Sequence, residues 1–409
     1  MLSPLSEPIT LPCGATLSNR IAKGPMTEGL ADPSNHATEE LARLYRLWSE
    51  GGAGLLVSGN VLVDRRYMER PGNVAIEDRS GLAKLKSYAV AGTATGNHLW
   101  MQINHAGRQT PIYLSEEPLA PSAVPLDLPP GGYGAPREIT SVEIEDVIQR
   151  FALAAEIAAE AGFTGVQVHA AHGYLLSEFL SPRANRRTDD WGGRLENRAR
   201  LLLAIVAAMR AACGPAFPIS VKLNSADFQQ GGFTHQDCLT VVQWLEAAGV
   251  DLLEISGGTY EQPSMMGARA KAPLAENAVK ESTKRREAYF LDYARSMRAV
   301  AKIPLMVTGG FRSRAGMIEA LESGDLDVIG IARPMCVETD LPARLLDGSA
   351  EESGRYEATI VPPKAGLAWF CLQLLRIGRG QTPDTAMDGP TAIELYRASE
   401  LSAADMLRG

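Results

Sequence analysis

The sequence predicts an α/β chain folded as a closed (β/α)8 TIM barrel with a C-terminal helical appendage. Three observations predict it: eight short apolar runs alternate with helical patterns, the β-then-α order hardly breaks, and no Gly-x-Gly-x-x-Gly follows the first run. A doubly wound sheet typically carries that fingerprint there, so eight βα units over about 330 residues fit a barrel better.

In chain order the strands are residues 20–24, 54–58, 98–103, 165–169, 219–223, 251–255, 305–308 and 327–330. Between the third and fourth, the stretch IEDVIQRFALAAEIAAEAG puts Val147, Phe151, Ala155 and Ala158 on one stripe and stops at glycine, the pattern of an amphipathic helix. Two long excursions, residues 110–138 and 257–286, follow strand ends and are expected to wall or cover the barrel mouth. After residue 340 the pattern changes: VPPKAG precedes two further helical stretches. The domain reading is therefore a barrel over 1–340 and a helical extension over 341–409 packing on it.

Apolar residues make up 45% of the chain and charged residues 22%, enough for a full core and too little charge for global disorder. The net charge of −8 is dispersed, with no basic stripe, which argues against nucleic acid as a partner. The first residues, MLSPLSEPIT, lack a signal-peptide pattern, and the longest apolar run, 201–213, is broken by Arg210 and too short to span a bilayer. A cytoplasmic protein without a membrane partner is expected. Cys13, Cys213, Cys238, Cys336 and Cys371 are scattered singly, against a disulfide framework, a structural zinc site or an iron–sulfur cluster.

Catalytic groups of a barrel sit where its strands end. Residues two apart on a strand share a face, so in ISVKLN the side chains of Ser220, Lys222 and Asn224 point inward when Ile219, Val221 and Leu223 face the helices. A buried lysine needs an anionic ligand or an ion pair. In HLWMQINHAGR the inward set is Trp100, Gln102 and Asn104; the Gln102 amide either satisfies nearby backbone or meets a ring edge that both donates and accepts. In GVQVHAAHGYLL, His169 points inward at the strand tip, with His172 and Tyr174 just after it. Three proton-capable side chains within six residues mark a site. Gly309 and Gly310 after strand seven, with Arg333 and a helix starting near Pro334 after strand eight, form a phosphate-binding pattern.

Together these residues resemble the old yellow enzyme family of flavin-dependent ene-reductases, over about residues 5 to 340. The resemblance is carried by NRIAKGPMT, GLLVSGNV, WMQINHAGRQ, GVQVHAAHGYLLSEFLSPRANRRTDDWGGRLENRAR, VKLNSADF, VTGGF and IGIARP. It implies FMN across the barrel mouth, touched by Pro25, Met26, Thr27, Gly59, Gln102, Lys222, Gly309, Gly310, Ala332 and Arg333. Lys222 would face the pyrimidine end, Thr27 the reactive end, and Arg333 with the glycine pair the phosphate. His169 and His172 look like the family's donors to a substrate carbonyl, and Tyr174 like the proton donor to the α-carbon. The implied reaction is hydride transfer from NADH or NADPH, through flavin N5, to the β-carbon of an activated alkene such as an enone, nitroalkene or maleimide. Thr27 stands where one branch carries cysteine, Lys222 where arginine is common and Ala332 where glycine is common, and Glu28 and Gly29 follow where some members place an aromatic wall. The loop SPRANRRTDDWGG reads as an ion-paired structural element.

Other readings of the same residues are an amine or dihydropyrimidine oxidoreductase on a flavin barrel, a metal-dependent hydrolase using His105, His169 and His172, and a non-catalytic flavin carrier. The sequence leaves open the physiological alkene, the choice between NADH and NADPH, and the oligomeric state, a homo-oligomer included.

Overall fold

The structure, a computed structural model, describes residues 3–261 and 291–408. Among these, eight parallel strands form a closed ring: β1 (Ile21–Lys23), β2 (Leu55–Leu62), β3 (His98–Asn104), β4 (Gly165–Ala170), β5 (Ile219–Asn224), β6 (Leu252–Ser256), β7 (Leu305–Thr308) and β8 (Val328–Ile331). Each pairs with its chain neighbours, and β1 closes the ring by pairing with both β2 and β8. The expected barrel is therefore the observed one. The largest difference from the sequence reading is at β2. A register shift between Val57 and Asn60 lets it keep pairing with β3 out to Leu62, so residues expected in a loop become strand.

Alternation divides the side chains as the period of two requires. Leu99, Met101 and Ile103 of β3, and Ile219, Val221 and Leu223 of β5, pack outward among the helices. The start of the barrel interior is apolar: Ala22, Leu55, Val57, Trp100, Leu252, Met306 and Val328 close on one another, and Leu11 and Leu17 plug them from a hairpin pairing Ile9–Thr10 with Thr16–Leu17. Gly165, opposite Trp100, makes room for the indole; a Cβ there would come within 2.5 Å of Trp100 Cδ1. One layer further along the strands, Gln102, Gln167, His169, Ser220, Lys222 and Glu254 are all buried. Dry packing below and polar side chains above confine chemistry to the C-terminal mouth.

The helix Ser141–Ala161 starts on a capping box, in which Thr140 and Glu143 satisfy each other's backbone N–H, and ends at Gly162 with φ 96°. Its predicted stripe is buried. In the loop before the helix Leu195–Cys213, buried Arg187 pairs with Asp189 at 2.5 Å and Glu138 at 3.3 Å, and donates to the carbonyls of Pro121 and Ile139. That pins the first long excursion, itself closed by pairing of Leu119–Ala120 with Arg137–Glu138, and agrees with the ion-paired reading of SPRANRRTDDWGG. Most of the second excursion, its residues 262–286, lies outside the described residues.

Two helices end the chain, Gly366–Gly378 and Gly389–Arg408. The first receives Arg43 on the Gly378 carbonyl at 2.6 Å. The second reaches the mouth: Glu400 pairs with buried Arg70 at 2.5 Å, Tyr396 lies 5.2 Å under that guanidinium, and Leu407 joins the cluster of Leu62, Met68 and Tyr174. All five cysteines are free thiols, and no described helix is long and apolar enough to cross a membrane.

Candidate functional site

β4 carries His169 to the mouth, and the turn after it holds His172 with φ 65°. A non-glycine residue in that left-handed region is held by its contacts. The His172 N–H donates to Asn224 Oδ1 at 3.1 Å, and its Nε2 meets the Ser256 hydroxyl at 2.6 Å. At His169 the Ala171 N–H donates to Nδ1 at 3.3 Å, so a neutral ring carries its proton on Nε2. Burial pushes both imidazoles well below 6.5; the neighbouring ring and Lys222 push His169 further down, and Lys222 does the same to His172. The rings stand edge to face at 5.0 Å, and Tyr174 packs edge-on to His169 at 4.8 Å. Both histidines are thus neutral hydrogen-bond donors at pH 7.

Tyr174 is fully inside the protein, and burial first, then Glu69, then Tyr260, holds its phenol well above 10. Its hydroxyl donates to Glu69 Oε2 and lies 2.7 Å from the Tyr260 hydroxyl. Glu69 also accepts from the Thr27 hydroxyl and the Asn60 amide. Thr27, expected at the flavin, and Tyr174, expected at the substrate, are therefore joined through one carboxylate.

Lys222 faces its register partner Glu254 across β5 and β6, Nζ to Oε1 3.0 Å, with both side chains buried. The ion pair allowed for in the sequence is present within the chain. Gln102 donates to Gln167 Oε1 at 2.7 Å, and Gln167 to Ser220 at 3.2 Å, a chain of amides across the barrel just above the apolar layer. Asn104, next along the inward face, is wholly buried, and its side-chain oxygen and nitrogen have no partner among the described residues.

At the β1, β7 and β8 ends, the Gly24 N–H bonds to the Ile331 carbonyl at 2.8 Å, which sets Pro25 beside Ala332. Met26 Sδ meets the Cys336 thiol at 3.4 Å, and Gly59 runs so close to Met26 and Thr27 that any Cβ would clash. Gly309 (φ 100°) and Gly310 (φ 86°) are left-handed, and a Cβ on Gly309 would meet nothing within 4 Å among the described residues. Arg333 sits near Arg312 and Glu357; burial, more than any neighbour, lowers its guanidinium. The helix expected near Pro334 is one short turn, Arg333–Cys336, too brief for an appreciable dipole, so any anion here relies on Arg333 and the glycine backbone.

A left-handed glycine pair after β7 and an arginine after β8, a buried cation with amides on the same layer, and an amide with no partner among the described residues fit a planar heteroaromatic ring carrying a phosphate. A metal fits less well: among the described residues no three His, Cys, Asp or Glu side chains are grouped to hold one. His105, proposed as a ligand, instead stacks on Tyr67 at 5.2 Å. Sequence reasoning missed Glu69, Asn60 and Glu254. Glu254 was accessible to the same-face test, because Leu252, Glu254 and Ser256 alternate inward; Glu69 and Asn60 lie where β2 bulges and loops, and no period places them.

The family model described as the NADH:flavin oxidoreductase / NADH oxidase family matches residues 4–352. The chain is 36% identical over 389 residues to the NADH-dependent flavin oxidoreductase iliE of Hypocrea jecorina (strain QM6a), covering 90% of this chain and 95% of that one. It is 37% identical over 396 residues to iliE of Neonectria sp. (strain DH2), where 90% of this chain spans 51% of the relative. Among solved structures it resembles the old yellow enzyme homologue from Zymomonas mobilis, with TM-score 0.72, 27% identity, and 85% and 94% of the two chains covered. A 2-naphthoyl-CoA reductase bound to 2-naphthoyl-CoA gives TM-score 0.80 at 26% identity, covering 92% of this chain and 57% of that one.

Proposed function

The chain belongs to the NADH:flavin oxidoreductase / NADH oxidase family, and on that footing we propose that it is an FMN-dependent ene-reductase of the old yellow enzyme type. The observation that carries the reading is the grouping of two neutral imidazoles and a protonated phenol at one strand tip, next to the polar layer holding Lys222. When FMN is bound and reduced by NADH or NADPH, it would supply the hydride for the β-carbon of an activated alkene.

The chain's own residues do the rest. Pro25, Met26, Thr27, Gly59, Gln102, Lys222, Gly309, Gly310, Ala332 and Arg333 would hold the cofactor. His169, through Nε2–H, and His172 would donate to the substrate carbonyl and stabilise the charge that gathers on oxygen. Tyr174 would give its proton to the α-carbon, and its elevated pKa keeps it protonated until an enolate forms beside it. Polarisation without a formal positive charge suits a neutral enone, nitroalkene or maleimide.

Anaerobic titration of the yellow holoprotein with NADH and NADPH, followed by a panel of these alkenes, tests the reading. Bleaching by a nicotinamide and recovery of colour on adding alkene are expected. Bleaching reversed by oxygen but by no alkene in the panel would rule the ene-reductase assignment out.

Glu254 gives a second expectation. Its carboxylate offsets the Lys222 charge that would otherwise favour the anionic reduced ring. Glu254→Gln should therefore raise the flavin midpoint potential. If one charge-assisted interaction is worth roughly 1.5–3 kcal/mol, the two-electron shift is roughly 30–60 mV. Dye-coupled redox titration reads it directly, and an unchanged or lower potential would mean that Lys222 does not act on the ring.

A further inference from the structure

We propose that Glu69 is a positioning residue for the alkene half-reaction: its carboxylate holds the Tyr174 phenol and the Thr27 hydroxyl in one hydrogen-bonded unit, so that the phenol is fixed in place before the enolate forms. This rests on the reading of Tyr174 as proton donor to the α-carbon.

Glu69 is held from both sides. The next residue, Arg70, is buried and tied to Glu400 at 2.5 Å, to the Thr27 carbonyl at 3.3 Å, and by its own N–H to Asn73 Oδ1 at 2.9 Å. With that backbone fixed, Oε1 accepts from Thr27, and Oε2 accepts from Asn60 and from Tyr174. An amide nitrogen can only donate, so the Asn60 bond fixes Oε2 as an acceptor. Tyr174 therefore aims its proton at Glu69 at rest, and the Tyr260 hydroxyl lies 2.7 Å from the Tyr174 hydroxyl.

That arrangement shapes proton delivery. The Tyr174 O–H bond breaks and a C–H bond forms at the α-carbon with the electron pair of the enolate. The negative charge moves from the substrate to the phenolate oxygen, to which Tyr260 can then donate; a solvent proton later restores the phenol. The phenolate formed lies beside a carboxylate, and two like charges in hydrogen-bond contact repel. Repulsion adds to the effect of burial, and together they make the phenolate short-lived.

Among the described residues the groups facing the pair are few. Tyr174 meets Glu69, Tyr260 and the His169 ring. Glu69 also acts on Tyr133 of the first long excursion, and on Tyr396 and Cys371 of the C-terminal helices. The neighbouring Arg70 charge is paired with Glu400. Among the described residues, Glu69 is thus the carboxylate in direct contact with the phenol.

The test is single-turnover oxidation of NADH-reduced holoenzyme by 2-cyclohexenone from pH 6 to 10. Wild type, E69Q, E69D, Y174F and the E69Q/Y174F double variant are compared, with the flavin-to-protein ratio as the check on folding. E69Q should be at least fivefold slower than wild type across this range while reduction by NADH stays within twofold of wild type, and in the Y174F background it should add less than twofold. E69D, which keeps the carboxylate, should be faster than E69Q. An E69Q rate within twofold of wild type, an E69D no faster than E69Q, or the same loss without Tyr174, overturns the proposal. If E69Q does not retain flavin, E69A replaces it and E69D remains the charged control. Should Y174F alone leave this half-reaction untouched, the proton-donor reading fails first and takes this inference with it. A slow Y174F with an E69Q as fast as wild type rejects Glu69 alone.

Discussion

Tyr174→Phe is expected to slow reoxidation of the reduced enzyme by an enone about 10²-fold or more, while reduction by NADH or NADPH proceeds at the wild-type rate. The asymmetry follows from where the hydroxyl sits. The ring packs on His169 at 4.8 Å and helps close the cluster of Leu62, Met68, Ala75 and Ala106; phenylalanine keeps both contacts. What is lost is one O–H group, bonded to Glu69 and Tyr260 and poised beside the imidazoles. Hydride delivery to the flavin needs no proton at a substrate carbon, so that half should be indifferent to the change. Stopped-flow traces of the two halves separate them. Equal slowing of both would point to a disturbed pocket, and no slowing of either would remove Tyr174 from the chemistry. A nitroalkene should suffer less than an enone, because its nitronate is stable enough to leave and take its proton from water.

How far this site could be read from sequence depended on which element carried each residue. Lys222, Gln102 and His169 were legible because a strand repeats every two residues, and the outward apolar partners of each fixed its face. The placement of the glycine pair and Arg333 just past the last two strands was legible, and barrel ligands frequently sit on those loops. The reading overreached at Arg333–Cys336, where the proline suggested a helix and the chain makes one turn. What stayed hidden were contacts between elements distant in sequence. Glu69 meets Tyr174 across 105 residues, and Glu400 reaches Arg70 across 330. No local pattern encodes such a meeting; it depends on the bulge that extends β2 and on the path of the last helix over the mouth. Lys222 shows the intermediate case: the need for a negative partner was readable, whereas its identity as Glu254 required the β5–β6 register.

His169→Ala should cost about 10²–10³-fold in the rate of enone reduction, the loss expected when one donor to a developing oxyanion is removed. The imidazole is preorganised for that task. The backbone N–H of Ala171 occupies Nδ1, burial keeps the ring neutral, and Nε2–H is left to donate without reorganisation as charge builds. His172 is held differently, its Nε2 engaged with the rotatable Ser256 hydroxyl, so its tautomer can adjust and His172→Ala should cost less than His169→Ala. Simple phenols, which mimic the enolate oxygen, should bind both variants more weakly, as read from the loss of their long-wavelength absorbance with oxidised flavin. Both folded-state pKa values lie below 6.5, so neither ring changes charge as the pH rises from 6.5 to 8, and the KM for a non-titrating enone should stay flat over that range. A KM that climbs several-fold across the same interval would show that the donor is an imidazolium losing its proton, and polarisation by neutral rings would have to be given up.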